Sequence, residues 1–347
     1  MSDDKEIDYS ENSDFNQSLD DDMGEIEICG ERLHPSQVLF ELKPETYRIA
    51  LTDFMTQKLE ALKLLVFDRF PSLISYNYRL SEKGPGANDP VKKFMHLKDA
   101  WEGAINSLYA IVFGEIRAKG INLKLANVYH SGQANQKFNT RIILTDELKQ
   151  KLENIRAVVN YSKSTSLGLK SESFISTELL DALYELQDNR NHFSHTATPT
   201  KEQAKKELAI ITPLFNKALD YMQFLENVVI FRFDSLSDKC RVETFKGHHL
   251  NKEYEDIVIL PEKITYVASN AGEIIFTKWE DDIFNLSPFL HFIDDDTGHE
   301  TYLCFYKGKR TNKYWYEPVK VRTEITFDHI QTRFDTEKDE IIRLVVP

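Results

Sequence analysis

Apolar residues change their spacing once along this chain of 347 residues, near position 230. Between residues 44 and 230 they recur every three or four positions, which places them on one side of a helix. Beyond residue 230, short runs of β-branched and aromatic residues alternate with polar or glycine-containing turns, a pattern typical of antiparallel strands. The chain is therefore predicted to have an α+β fold, with an all-α helical bundle followed by a mostly antiparallel β region.

The helical region contains several recognisable helix-boundary signals. Asp89 stands directly before a proline, as a capping residue does when proline takes the first helical position. Thr200 and Gln203 have the spacing of a capping box. About five helices are predicted, one of them over residues 177–191, and Pro213 is expected to kink or divide the last one.

The β region is predicted from eight short runs of β-prone residues, at 230–233, 241–245, 257–260, 264–267, 274–276, 302–306, 314–316 and 319–327. The sequence thus divides into a disordered acidic tail at 1–25, a helical domain at 26–230 and a β-rich accessory domain at 231–347. Within the helical domain, residues 71–90 are predicted to form a polar loop.

Acidic residues are concentrated at the N-terminus. Residues 1–27 contain eleven acidic residues and one lysine, a net charge of −10, which leaves the other 320 residues at only −3. The overall acidity therefore does not exclude an RNA partner. A segment so poor in apolar residues cannot offset its ordering entropy, so residues 1–25 are predicted to be disordered. The tail is interpreted as a solubilising segment, as an RNA mimic that competes for the active site, or as a docking segment.

Cysteines and apolar runs indicate the compartment. Cys29, Cys240 and Cys304 are far apart and lack the spacing of a zinc site, so neither a disulfide framework nor structural zinc is predicted. No apolar run is long enough to span a membrane, and the N-terminus lacks the basic, apolar pattern of a signal peptide. A cytoplasmic protein without a membrane partner is expected.

Two further clusters contain side chains of the types that bind metal ions. His248 and His249 are adjacent, so on a strand they would point to opposite faces, and the acidic run at 294–296 is typical of a solvated turn. No metal or cofactor is therefore predicted. Basic residues surround the aromatic run 314–316 and could form a base-stacking surface, but a solvated hairpin beside core aromatics is the favoured interpretation.

The segment at residues 186–195, LQDNRNHFSH, combines a cation, an amide and two imidazoles at the end of a predicted helix. Arg190 is suited to pair with a phosphate, and Asn191 could orient it. His192 and His195 could take or give a proton near neutral pH. These residue types together favour chemistry on a phosphodiester.

The sequence RNHFSH at 190–195 resembles the motif of the HEPN superfamily, in which Arg and a polar residue are followed by His after four to six intervening positions. The resemblance extends over residues 44–230. It implies an all-α domain with metal-independent endoribonuclease activity, of the kind found in toxin–antitoxin, abortive-infection and CRISPR-associated systems. It also implies a homodimer in which two motifs face each other, and an antitoxin or defence-system partner.

The resemblance implies a role for each motif residue. His195 would activate the ribose 2′-hydroxyl or protonate the leaving 5′-oxygen, and Arg190 would stabilise the phosphorane charge. Asn191 would position the phosphate or the histidine of the second copy, and His192 would assist or merely flank. Alternatively, the segment is an ordinary polar helix end, and the protein is a catalytically inactive module that binds RNA, a nucleotide or a protein, or a scaffold.

A polar loop or hairpin at residues 119–141 is a candidate for contacts to the RNA backbone. Lys137 and Arg141 would be the phosphate contacts, because cationic side chains make most such contacts in nucleic-acid complexes. His130 in the same segment is interpreted as an ordinary loop histidine.

Overall fold

The computed structural model describes residues 7–28, 31–191, 199–237, 239–321 and 323–347, with the backbone alone at residues 28, 31 and 189–191. The chain forms two compact units, one up to Leu64 and the other from Leu65 to Pro347. Helices dominate the N-terminal half, and antiparallel sheets occupy the C-terminal half. The predicted α+β class is confirmed.

The first unit contains a small helical cluster and a two-stranded hairpin. Its elements are helix α1 (Ser13–Met23), strands β1 (Ile26–Ile28) and β2 (Glu31–Leu33), helix α2 (Pro35–Leu42) and most of helix α3 (Pro44–Arg69). A single 3₁₀ turn, Tyr9–Asn12, precedes α1.

The acidic segment for which we expected disorder is helical in the structure from Tyr9 to Met23. The ring of Phe15 packs edge-on against Tyr47 with centroids 5.1 Å apart, and the Tyr47 hydroxyl donates to Asn16 Oδ1 at 2.5 Å. The Asp20 carboxylate accepts from the backbone N–H and the hydroxyl of Ser36, both at 2.8 Å. A few anchoring side chains thus order a segment whose average composition indicated disorder.

The second unit begins with helices arranged around one long buried helix. After the last turn of α3 come α4 (Ser72–Glu82), α5 (Pro90–Lys119), strands β3 (Asn127–His130) and β4 (Gln133–Lys137), α6 (Thr140–Ile143), α7 (Leu148–Thr165), α8 (Lys170–Phe174), α9 (Thr177–Asn191) and α10 (Lys201–Tyr221). Every residue from Ala100 to Ile116 of α5 is buried, so this helix is core on all sides. Helices α4, α7, α8 and α10 pack against it, and so do strands of the β region described below.

Helix boundaries agree with several sequence signals. Asp89 Oδ1 accepts from the backbone N–H of Val91 at 3.0 Å, and Thr200 forms the complete capping box with Gln203. Helix α9 has the bounds predicted for it. One expectation is wrong, because α4 occupies most of the predicted 71–90 loop. Of the two outcomes predicted for Pro213, a kink or a division, the helix is not divided: α10 runs through Pro213 as one helix.

The β region contains two antiparallel sheets. The first has the strand order β7 (Glu253–Ile257), β6 (Cys240–Thr244), β5 (Val228–Leu236), β8 (Phe276–Trp279), β9 (Asp282–Asn285). The second has the order β10 (Leu290–Asp294), β11 (Thr301–Arg310), β12 (Lys313–Pro318), β13 (Ile325–Thr326). The predicted strand at 264–267 is instead part of helix α11 (Pro261–Ala268), and helix α12 (Gln331–Val345) was not predicted.

Arg117, near the C-terminal end of α5, links the helices to the β region. Its guanidinium donates to the carbonyl oxygens of Ser287 and Asn285, and it forms an ion pair with Glu337 of α12 at 2.5 Å. Residues on both sides of position 230 therefore belong to the same compact unit, although the change from helix to strand falls at Val228, close to the predicted position.

Candidate functional site

The motif segment lies at the C-terminal end of α9. Four buried leucines form the inward face of this helix: Leu179, Leu180, Leu183 and Leu186. Through them α9 packs between α7 and α10. Arg190 and Asn191 are the last two residues of α9, whereas His192 and His195 lie outside the described residues. Helix α9 is therefore the element that locates the motif.

A polar groove of about 500 Å³ runs between α9, the start of α7 and the β3–β4 hairpin. Its lining includes Tyr129, His130, Arg141, Lys149, Gln150 and Tyr184, and we call it the polar groove. Lys149 Nζ contacts Asp188 Oδ1 at 3.1 Å, two residues before Arg190. One wall of the polar groove thus adjoins the last turn of the motif helix.

Hydrogen bonds fix the tautomer of His130 in this groove. Asn154 Nδ2 donates to the carbonyl of Ile142 at 2.8 Å, so its Oδ1 is the atom that accepts from Gln150 Nε2 at 3.0 Å. Gln150 Nε2 also donates to the carbonyl of Tyr129 at 2.9 Å. Gln150 Oε1 must then accept from the Nδ1–H of His130 at 2.7 Å. In neutral His130 the proton is on Nδ1, and Nε2 is an acceptor.

The charges along the polar groove are mixed. Among the described residues, the exposed guanidinium of Arg141 makes no hydrogen bond or ion pair. Lys149 lies over the ring of Tyr184 at 4.6 Å, and its hydrogen bond to Tyr184 raises the pKa of Lys149. Burial raises the pKa of Tyr184. Three carboxylates also line the groove, on Asp146, Glu147 and Glu153. Arg141 is therefore the cation most available to an anionic ligand.

The two predicted phosphate contacts are in different settings. Arg141 lines the polar groove. Lys137 lies at the end of β4, and its ammonium donates to the Leu125 carbonyl at 2.6 Å and to Asn127 Oδ1 at 2.7 Å. The structure thus leaves Arg141 available to a ligand, while Lys137 holds the base of its own hairpin.

The hairpin of β11 and β12 contains the basic and aromatic residues considered for base stacking, and its aromatic side chains belong largely to the core. Tyr314 and Tyr316 are buried. The four cations around them form ion pairs: Lys307 with Glu102, Lys309 with Asp335, Arg310 with Glu324, and Lys313 with Asp328. These side chains are engaged within the fold.

The acidic run considered as a metal ligand is also engaged. Asp294 pairs with Arg232 at 2.9 Å and with Lys252 at 3.0 Å. Hydrogen bonds from Thr297 and from the backbone of the hairpin turn lower the pKa of Asp295 to about 2. Within the described ranges, no group of three or more His, Cys, Asp or Glu side chains has an arrangement that could hold a metal ion.

His248 and His249 lie in a bend after β6 rather than on a strand, and their rings are 3.9 Å apart. The expectation that they point to opposite faces is therefore wrong, because the period of a strand does not apply in a bend. His248 Nδ1 lies 3.0 Å from the carbonyl oxygen of Phe67, to which it donates.

Comparisons of the chain with protein-family models, with curated proteins and with solved structures find no match. Over the part of the chain that the structure describes, no helix is long and apolar enough to cross a membrane. What distinguishes this α+β protein is thus a polar groove beside the helix that ends with Arg190 and Asn191. Function has to be inferred from that site, since a fold alone does not specify an activity.

Proposed function

We propose that this protein is a metal-independent endoribonuclease of the HEPN type. The observation that carries the proposal is the RNHFSH segment at 190–195, whose first two residues end α9. In the same last turn of α9, Asp188 pairs with Lys149 of the polar groove. Cation, amide and imidazole together suit phosphodiester cleavage near neutral pH. The protein would act in the cytoplasm as a homodimeric toxin or antiviral defence effector.

The proposed reaction is a transesterification. The ribose 2′-oxygen attacks the adjacent phosphorus and loses its proton to one His195, while the bond from phosphorus to the 5′-oxygen breaks. The 5′-oxygen takes a proton from the His195 of the second copy, because one imidazole cannot be acid and base at the same time. Arg190 stabilises the phosphorane charge and Asn191 orients the phosphate. The products are a 2′,3′-cyclic phosphate and a 5′-hydroxyl.

The decisive experiment is incubation of the purified protein with total RNA in EDTA, followed by mapping of the new ends. We expect cyclic-phosphate and 5′-hydroxyl ends, and no cleavage of DNA of the same sequence. His195→Ala and Arg190→Ala should each slow cleavage by about 10²- to 10⁴-fold, whereas His299→Ala in an exposed turn should cleave at the parental rate. Parental cleavage rates in both motif variants would show that the assignment is wrong.

A second candidate is a catalytically inactive module that binds RNA, a nucleotide or a protein. It is favoured by the three carboxylates in the polar groove, which outnumber its two permanent cations, Arg141 and Lys149. A strongly binding nucleic-acid groove usually has an excess of basic residues. If expression of the protein arrests growth and His195→Ala abolishes the arrest, the nuclease is supported. If expression of the parent protein does not arrest growth, the binding module is supported.

A further inference from the structure

The polar groove contains a histidine that is oriented in advance. His130 is held by Gln150, which is only 6 % exposed, and Gln150 is held in turn by Asn154, which is fully buried. His130 is also the last residue before the tight turn of the β3–β4 hairpin, where Ser131 and Gly132 both have positive φ. The backbone of the hairpin and the hydrogen bond at Nδ1 thus fix the position of the imidazole.

The free nitrogen of His130 selects the kind of group it can bind. In the neutral imidazole, Nε2 accepts a hydrogen bond, and it has no partner among the described residues. Phosphate oxygens only accept, so they cannot satisfy it. Along a nucleic-acid backbone, the one hydrogen-bond donor on each nucleotide is the ribose 2′-hydroxyl, which DNA lacks.

The remaining groups around His130 suit a short single-stranded segment. Tyr129 is 45 % exposed and presents an aromatic ring on which a base could stack. Arg141 is available for one phosphate. The volume of about 500 Å³ lies within the range of small-ligand sites. The carboxylates on the lining disfavour a long polyanion but can accept from the N–H groups of bases, such as N3–H of uracil.

We propose that the polar groove is a ribonucleotide-binding subsite that distinguishes RNA from DNA. Neutral His130 accepts a hydrogen bond from a ribose 2′-hydroxyl, Arg141 binds an adjacent phosphate, and Tyr129 stacks on the base. This inference deepens the proposed function and rests on RNA being the substrate. It assigns to His130 a selectivity role that does not involve proton transfer.

The test is equilibrium binding of labelled oligo(U) and oligo(dU) of equal length, in EDTA at pH 8, measured by fluorescence anisotropy on the full chain carrying His195→Ala. One hydrogen bond predicts that RNA binds roughly two- to tenfold more tightly than DNA. Adding His130→Ala should remove this preference by weakening RNA binding alone. Adding Arg141→Ala should weaken RNA and DNA binding by the same factor, so the preference survives.

Two results would overturn the inference. Equal affinity for RNA and DNA before His130 is changed would show that no 2′-hydroxyl is recognised, and an unchanged preference in His130→Ala would place the recognition elsewhere. Gln150→Met provides a second variant with the imidazole intact: freeing the tautomer should reduce the preference without abolishing binding. Binding is measured without cleavage, so the two proposals can fail separately. If the unsubstituted protein cuts no RNA but the His195→Ala protein still prefers RNA, the nuclease is rejected and the subsite is supported.

Discussion

His291 of β10 is a histidine inside an aromatic cluster. It is 3 % exposed, and its ring packs edge-on against Phe327 and Phe334 with centroids 4.3 and 5.3 Å away. Its Nδ1 has no hydrogen bond within the described part of the chain. Burial lowers the pKa of His291 to about 3, with smaller contributions from His329 and Arg232. The ring is therefore neutral in the folded protein at neutral pH.

This histidine predicts a loss of stability in mild acid. The unfolded chain binds a proton at His291 below about pH 6.5 while the folded chain does not, so the free energy of unfolding falls as the pH drops from 6.5 towards 3. From this residue alone the loss between pH 7 and pH 5 is about 2 kcal/mol. Urea denaturation at both pH values should show that His291→Leu lacks this part of the loss, whereas His299→Leu in the exposed turn retains it. Equal pH dependence in His291→Leu and the parent would contradict the prediction.

At the candidate site, the sequence predicts some of the residues and not others. The motif and its helical setting were visible in the sequence, and so was Arg141. The role proposed for His130 was not, because it depends on Gln150 and Asn154, which lie four positions apart on α7 and point inward. Polar residues with that spacing normally predict the solvent face of a helix.

At the scale of elements, the missed helices share a physical cause. Helix α4 buries serine residues, and Ser75 donates its hydroxyl proton to backbone carbonyl oxygens such as that of Val66, which hides the apolar period. Helix α12 buries Glu337 against Arg117. Helix α11 contains a run of β-branched and aromatic residues that indicates a strand, although Pro261 at its first position is a helix signal. Tertiary contacts override local preference in all three.

The close approach of α4 and α5 gives a test at this scale. A Cβ atom on Gly103 would lie 2.2 Å from the Leu73 carbonyl oxygen, which belongs to the backbone of α4. Gly114 on the same helix is less crowded, because its nearest neighbour would be at 3.0 Å. Both Gly→Ala changes gain about 1 kcal/mol of helix propensity. Gly103→Ala should still destabilise the protein by on the order of 2 kcal/mol through steric overlap.

Gly114→Ala is the matched control for this prediction, since its helix-propensity gain should roughly cancel the milder crowding. Thermal denaturation of the two variants measures the difference directly. If Gly103→Ala unfolds at or above the temperature of Gly114→Ala, then α4 and α5 do not pack as closely as described.

At the scale of the whole molecule, the sequence predicted a helical domain and a β domain that meet at residue 230. The structure instead encloses α5 with elements from both regions, within one compact unit. Apolar periodicity locates the change of secondary structure along the chain, but it does not show which helix faces pack against which sheet faces. The contacts of Arg117 with β9 and α12 are long-range in sequence, so no local pattern could have predicted them.

The ion pair of Arg117 and Glu337 tests whether the two regions unfold together. Both side chains are 7 % exposed, and burial raises the pKa of Glu337. Arg117→Met removes the nearer of the two cations that pair with Glu337, the other being Arg333 at 3.6 Å. It also removes the donor to two backbone carbonyl oxygens, so we expect a loss of roughly 3–5 kcal/mol at pH 8. The loss should be smaller at pH 5 than at pH 8, because burial raises the pKa of Glu337 in the folded chain and removing Arg117 raises it further, so protonation favours the folded variant as the pH falls. Hydrogen exchange followed by mass spectrometry should show faster exchange in both α5 and β9 of Arg117→Met. The control is Glu340→Gln, since Glu340 is half-exposed and 4.0 Å from Arg117; this variant should leave the exchange rates nearly unchanged. Faster exchange confined to residues beyond 230 would mean that the β region unfolds as a separate domain, as the sequence alone predicted.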